Sequence, residues 1–306
     1  MKAFAYKYIW FSSAMESIFY NYNIIYDGFY FLITIKWRKD FKNSEPLTKK
    51  QAIYFIISMI LLYLVKGSPI DLLAHIMFTY HMVQMSILLI IMTPLLMLSI
   101  PNWLWEAFLK LPVIKPIFRF FTKPILAVVL FNVLFSFYHI PFIFDTIKMS
   151  ETLHGGYTML LFIFALFMWW PLLNSLPDQT QLSGIKRVGY LFASAILLTP
   201  ACGILIFAGK PLYETYSNGA VWLQAMTLCV PTDTLAGLNL SGPELFSTLP
   251  VTEDQQLGAI IMKLVQEVIY GFVLARIFYQ WFKKDQIEAE EFTQRAMMEQ
   301  HPQPTE

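Results

Sequence analysis

Charged residues are scarce in this chain. Asp, Glu, Lys and Arg together account for 14% of the 306 residues, whereas apolar residues account for 57%. Because an average soluble domain carries about 25% charged residues, this composition excludes an ordinary soluble protein. The 22 basic and 21 acidic residues nearly cancel, which leaves no basic field to attract nucleic acid. We therefore expect the lipid bilayer to surround the protein and nucleic acid not to be a partner.

The motifs of common soluble enzymes are also missing. The chain contains no GxSxG nucleophile motif, no phosphate-binding loop, no HExxH zinc motif and no dinucleotide fingerprint. Cysteine is nearly absent, because Cys202 and Cys229 are the only two. They are compatible with a disulfide bridge, with soft copper ligands or with small buried apolar side chains. The sequence thus favours a protein that is not an enzyme.

What the chain does contain is a series of long apolar segments. A helix needs roughly 20 apolar residues to cross a bilayer, and six segments meet that length. A seventh, 18–35, is weaker because Asn21, Asn23 and Asp27 interrupt its first half. The sequence predicts an all-α, polytopic membrane bundle of about seven helices, whose six stronger spans are 51–66 with its flanks, 71–99, 124–143, 154–174, 187–208 and 257–282.

The distribution of basic residues predicts the orientation of this bundle. Lys and Arg concentrate in three connections, 36–50, 110–123 and 186–187, whereas the long segment 209–256 is mainly acidic. Since basic loops stay cytoplasmic, we expect the N-terminus outside and the C-terminus inside the plasma membrane. Residues 1–282, including the extracytoplasmic segment 209–256, then form one bundle domain, and residues 283–306 form a polar cytoplasmic tail.

Histidines are unevenly placed along the predicted helices. An ionisable group at membrane depth costs at least about 2.5 kcal/mol on insertion scales, so it needs a partner or a function. Four of the five histidines fall at the outer ends of predicted spans: His75, His81, His139 and His154. The predicted helices could therefore assemble one site from several spans.

Helical spacing relates these histidines to other polar and sulfur-containing residues. His81 and Met85 are four residues apart, and His75 and Met82 are seven apart, so each pair shares a helix face. Asn132, Ser136 and His139 form a polar stripe, which we expect to face the interior of the bundle.

Imidazole nitrogens combined with thioether sulfurs are a ligand set that suits copper. Extracytoplasmic copper binding follows as a hypothesis. The alternative is that the histidines donate hydrogen bonds to backbone carbonyls while methionines fill the core, which the 15 methionines make plausible.

Other ionisable or polar residues are weaker candidates. Gln266 and Glu267 lie within the last apolar segment, where a carboxylate indicates either a functional site or an ion pair with Lys263, four residues earlier. Asp71 and Asp145 lie near the outer surface, where they could orient ligands or simply belong to exposed loops.

Several stretches of the sequence resemble one known family, the CtaG-type cytochrome c oxidase assembly factors of Gram-positive bacteria. These stretches cover most of the chain from the second predicted helix onward. They are GSPIDLLAHIMFTYHMVQM at 67–85, KPILAVVLFNVLFSFYHIPFIFD at 123–145, MWWPL at 168–172, LLTPACGILIFA at 197–208, SGPELF at 241–246 and DQQLGAIIMKLVQEVIYG at 254–271.

This resemblance implies a multi-pass plasma-membrane protein that helps a haem-copper oxidase mature, with an oxidase subunit as partner and copper as the bound metal. The candidate ligands that lie within the matching stretches are His75, His81, Met82, Met85, His139 and His154. Two alternatives stay open: a membrane cytochrome in which two histidines bind haem, and a copper permease. A permease should carry ligands through the full depth of the bilayer, whereas these candidates concentrate on one side.

Overall fold

The computed structural model describes residues 27–177, 179, 181–227, 242 and 248–300. Every element within these residues is helical, which confirms the all-α class. After helical turns at 27–36 and a 3-10 turn at Arg38–Asp40, the helices are α1 Lys49–Lys66, α2 Pro69–Ile76, α3 Phe78–Ser99, α4 Asn102–Leu109, α5 Ile114–Phe121, α6 Pro124–Tyr138, α7 Pro141–Lys148, α8 Glu151–Leu173, α9 Gly184–Phe207, α10 Glu214–Ser217, α11 Gly219–Met226 and α12 Val251–Gln300.

Four of these helices, α3, α8, α9 and α12, are each long and apolar enough to cross a membrane. Two bent pairs pass the same test together: α1 with α2, bent by 42°, and α5 with α6, bent by 82°. The described residues therefore hold four candidate spans, or six if each bent pair is one span. The first half of the predicted helix 18–35, residues 18–26, lies outside the described residues, and the second half forms the helical turns at 27–36.

The prediction of one unbroken helix over 71–99 is wrong. Met77 has extended backbone angles, φ −130° and ψ 137°, and it separates α2 from α3. The first N–H groups of α3 have no acceptor within the helix and donate to Asp254 of α12. Its carboxylate accepts from Phe78 N–H at 2.7 Å and from Thr79 N–H at 3.4 Å. A carboxylate at a helix N-terminus is also favoured by the helix dipole. This contact ties α12 to the start of α3.

The predicted span 124–143 also ends earlier than expected. Its helix, α6, stops at Tyr138, and His139 is the C-cap residue. Ile140 is extended and Pro141 begins α7, as expected because the residue before a proline avoids helical angles while proline suits a first helical turn.

Helix α12 packs closely against both α3 and α9. A Cβ atom added at Gly258 of α12 would lie 3.0 Å from Thr79 Cα and 3.2 Å from Met82 Cγ of α3. Glycine thus permits a backbone approach that a larger residue would obstruct.

The segment after α9 folds back over one end of the bundle. Its helix α11 buries Trp222 and Met226 against Ile76 at the end of α2, and the Trp222 indole N–H donates to the Ile76 carbonyl at 3.3 Å. The segment therefore covers the end of the bundle at which α2 ends and α3 begins.

Candidate metal site

The four histidines predicted at the outer ends of the spans lie together in the structure. They come from α2, α3, the C-cap of α6 and the first turn of α8. The ring centroids are 5.4 Å apart for His75 and His154, 6.1 Å for His81 and His154, and 6.2 Å for His81 and His139. His81, His139 and His154 are 0%, 5% and 7% exposed, and His75 is partly buried. The tertiary structure thus forms one imidazole cluster beneath α10 and α11.

Backbone carbonyls set the tautomer of two of these rings. His139 Nδ1 lies 2.7 Å from the Phe135 carbonyl, and His75 Nδ1 lies 3.3 Å from the Asp71 carbonyl. Because a carbonyl oxygen can only accept, Nδ1 carries the proton and the lone pair remains on Nε2. Both rings therefore make the carbonyl hydrogen bond that was predicted as the alternative to metal binding. Each ring uses only Nδ1 for this hydrogen bond.

The other ring nitrogens are less well satisfied. His154 Nδ1 lies 3.1 Å from the Tyr138 hydroxyl. Within the described part of the chain, neither nitrogen of His81 has a hydrogen-bond partner, nor do the Nε2 atoms of His139 and His154. Leaving a buried polar group unpaired costs about 1–3 kcal/mol. The cluster therefore contains imidazole nitrogens without a partner in the described residues, which a bound ligand could pair with.

Aromatic rings surround His81. Phe144, Phe78 and Tyr138 lie with their centroids 5.2, 5.8 and 5.8 Å from the His81 ring, and each is at most 1% exposed. They occupy the space beside His81 that a haem macrocycle would need, which disfavours the haem alternative.

The two candidate methionines are both fully buried on α3. Met85 lies one turn beyond His81, as predicted from the spacing. Met82 packs toward Gly258 of α12. The predicted shared face of His75 and Met82 is wrong, because the break at Met77 places these two residues on different helices.

The cluster does not form a ready-made coordination sphere. Among the residues that the structure describes, no group of three or more His, Cys, Asp or Glu side chains is arranged to hold a metal ion. A metal would require the imidazoles to change their side-chain angles.

The nearby aspartates have structural partners. Asp71 pairs with Lys66 at 3.2 Å and accepts from the side-chain amide of Gln84. Asp145 accepts from the N–H groups of Glu214 and Thr215 at 3.0 and 3.1 Å, and so caps α10. Both carboxylates are thus engaged in holding the fold at this end.

Lys148, the last residue of α7, is also buried at this end of the bundle. Its side chain donates to the Ala74 carbonyl at 3.1 Å and lies over the Tyr216 ring, 5.2 Å from the centroid. Tyr216 also donates to Ala74, at 2.7 Å, and burial raises the pKa of its hydroxyl, which keeps it protonated as a donor. Both contacts fix the residue that precedes His75. A lysine at a helix end carries no sequence signal of such burial.

The remaining candidates lie away from the histidines or inside the core. Asn132 faces the interior as predicted and donates to the Val128 carbonyl at 2.7 Å. On α12, Lys263 pairs with Glu267 at 2.7 Å, and Gln266 accepts from the same lysine at 3.2 Å. The ion-pair alternative for Glu267 is therefore confirmed. Cys202 is buried on α9, whereas Cys229 lies outside the described residues.

The fold and the cluster together define an all-helical bundle, with several candidate membrane spans and buried imidazoles at one end. Comparison with known protein families identifies the family of this bundle. The model of the cytochrome c oxidase caa3 assembly factor family (Caa3_CtaG) matches residues 28–284. The chain belongs to this family, and the resemblance seen in the sequence is confirmed. No curated protein and no solved structure matches the chain.

Proposed function

We propose that this protein assists the assembly of a haem-copper cytochrome c oxidase by binding copper at the cluster of His75, His81, His139 and His154. Membership of an oxidase assembly factor family supports an oxidase subunit as the partner. The observation that carries copper handling is the convergence of imidazoles from separate helices, with ring centroids 5.4 to 6.2 Å apart.

The donor chemistry of the cluster favours copper over hard cations. It offers neutral imidazole nitrogens, and buried thioethers of Met82 and Met85 lie on the same helix as His81. Magnesium and calcium prefer carboxylate and carbonyl oxygens, but Asp71 and Asp145 are already engaged in an ion pair and a helix cap. A site whose rings must rearrange to share an ion binds it more weakly than a preformed site would, which suits a factor that passes copper on.

The charge distribution supports a site on the extracytoplasmic side. The basic connections 36–50 and 110–123 lie at the other end of the bundle from the histidines, and basic connections stay in the cytoplasm. We infer that the N-terminus is outside, the C-terminus is cytoplasmic, and copper is received outside the cytoplasm of a bacterium. The oxidase subunit docks through lipid-facing helices and the 209–256 segment. The candidate ligands concentrate at one end, which disfavours a permease.

The test replaces single histidines. His81→Ala and His139→Ala should each leave a folded protein that binds copper at least tenfold more weakly and supports less oxidase activity, because each removes a donor nitrogen. Ser194→Ala is the matched control, since Ser194 is equally buried but bonds to Tyr270 on α12. Purified protein is titrated with Cu(I), and oxidase activity and copper content are measured in cells that carry each variant.

Normal oxidase copper content in both histidine variants would reject copper delivery. Normal oxidase activity after deletion of the gene would reject the assembly role itself. A Soret band in the purified protein would instead support the haem alternative.

A further inference from the structure

An ion pair lies on the surface of the bundle, close to the middle of α9. Lys263 of α12 contacts Glu267 at 2.7 Å. Its ammonium group also donates to two groups of α9, the Thr199 hydroxyl at 3.0 Å and the Ala195 carbonyl at 3.5 Å. Ala195 is the twelfth of the 24 residues of α9, and a helix rises about 1.5 Å per residue, so the ammonium group lies roughly 17 Å from either end of this candidate span. That depth corresponds to the hydrocarbon core of a bilayer, which is about 30 Å thick.

The two members of this pair differ in exposure. The Lys263 side chain is 24% exposed, whereas the Glu267 side chain is 55% exposed. The bundle supplies acceptors for all three N–H groups of the lysine, including the side-chain oxygen of Gln266 at 3.2 Å. Among the described residues, Lys263 is the one group that donates to Glu267, although a carboxylate can accept several hydrogen bonds. The glutamate therefore presents unused acceptor sites on the surface.

Apolar side chains flank this carboxylate on both helices. The exposed ones are Ile260, Leu264, Val268 and Phe272 on α12 and Ile196 and Ile204 on α9. An ionisable group at membrane depth costs at least about 2.5 kcal/mol on insertion scales, and lipid tails provide no hydrogen-bond donor. A half-exposed carboxylate within an apolar face of two candidate spans indicates that a further protein element covers it.

A shallow groove on α9 lies beside the ion pair. It is lined by Ile196, Thr199, Pro200, Gly203 and Ile204. A Cβ atom added at Gly203 would meet nothing within 4 Å, so a second helix can approach the backbone closely there. Pro200 has no N–H group, so the Ile196 carbonyl lacks its usual donor within the helix. The groove thus offers a helix both close packing and a further acceptor next to Glu267.

We propose that this face of α9 and α12 docks a transmembrane helix of the oxidase subunit, and that a side-chain donor of that helix hydrogen-bonds to Glu267 within the bilayer. The identity of the partner rests on the proposed function. Because Lys263 already balances the charge of Glu267, a basic side chain would add an unpaired charge, so the donor is a neutral hydroxyl, amide or indole group. Such hydrogen bonds strengthen the association of helices in lipid.

Photo-cross-linking in cells that produce the full-length chain and the oxidase tests the contact. The cross-linking amino acid p-benzoyl-phenylalanine is placed at Val268, which is 56% exposed beside Glu267, or at Ile60 of α1, which is 53% exposed and serves as the control. We expect a cross-link to an oxidase subunit, identified by mass spectrometry, from position 268 and none from position 60. Equal yields at both positions, no protein cross-link at 268, or a cross-link there to a second copy or another segment of this chain would overturn the proposal.

Removing the charges tests the role of the ion pair. Lys263→Met combined with Glu267→Leu should lower the cross-link yield from position 268 by roughly fivefold, the effect of one lost hydrogen bond between membrane helices. Lys110→Met combined with Glu106→Leu is the matched control, because it removes an exposed pair of the same spacing on α4, which is not a candidate span. This control should leave the yield unchanged. An unchanged yield in the folded Lys263 and Glu267 variant would contradict the proposal.

Copper titration of the purified protein separates this proposal from the proposed function, because copper binding depends on the histidines and not on this face. The variant that lacks Lys263 and Glu267 should bind Cu(I) as tightly as the unchanged protein does. An intact cross-link from position 268 in a protein that binds no copper would reject copper handling and leave the docking face in place.

Discussion

At the residue scale, buried or partly buried aspartates stabilise the histidine end of the bundle by capping helices that are far from them along the chain. Asp254 caps α3 across 176 positions of the chain, and Asp145 caps α10 across 70. Local caps can be predicted from sequence, as the Thr48 and Gln51 capping box of α1 shows. A carboxylate that comes from another helix leaves no such local pattern, so Asp145 was expected either to orient ligands or to belong to an exposed loop.

The cap on α3 leads to a prediction about stability. Asp254→Ala should destabilise the protein by about 1–3 kcal/mol, because the Phe78 and Thr79 amides lose their acceptor at a buried helix start. Thermal unfolding of the purified protein in detergent measures the effect. Glu253→Ala is the control, since Glu253 is the adjacent exposed acid. Identical melting temperatures for the two variants would show that the cap contributes nothing.

At the element scale, the apolar run over 71–99 predicted one helix where the structure has two. Apolar residues continue through Met77, and no glycine or proline marks the break there. Hydrophobicity measures what a segment can bury, but it does not specify its backbone angles. The break persists because α12 supplies the hydrogen-bond acceptors for the start of α3.

The contact between α3 and α12 can be tested through glycine. Gly258→Ala should lower the melting temperature, because its Cβ would lie 3.0 Å from Thr79 Cα and force the two backbones apart. Gly271→Ala on the same helix is the matched control, since a Cβ there meets nothing within 4 Å. We expect the control to be neutral or slightly stabilising, as alanine favours helices. A Gly258→Ala protein as stable as the control would contradict the close approach.

At the scale of the whole molecule, the bundle has two chemically different ends. Imidazoles collect where α2 ends and α3 begins, and indoles with carboxylates collect where α3 ends and α4 begins. The proposed orientation places the first end outside the cytoplasm and the second within it. Copper would then be received at the histidine end, outside the cytoplasm.

Cysteine labelling tests this orientation. In a chain with Cys202 and Cys229 replaced by alanine, a membrane-impermeant maleimide added to intact cells should label Ser217→Cys, which is exposed at the end of α10. Lys110→Cys, exposed at the end of α4, should react only after the membrane is permeabilised. Labelling in the reverse pattern would place the histidine cluster on the cytoplasmic side.

The sequence by itself determined the helical class, the apolar character of the candidate spans and the family, because each depends on composition or on residues close together in the chain. It also identified four histidines at corresponding helix ends. Only the tertiary structure decided that these rings meet and that Met82 faces Gly258. It likewise decided that Trp103 and Trp170 share one cavity. These are contacts between residues far apart in the chain, and they depend on how helices pack and where they break, which periodicity within a single helix does not specify.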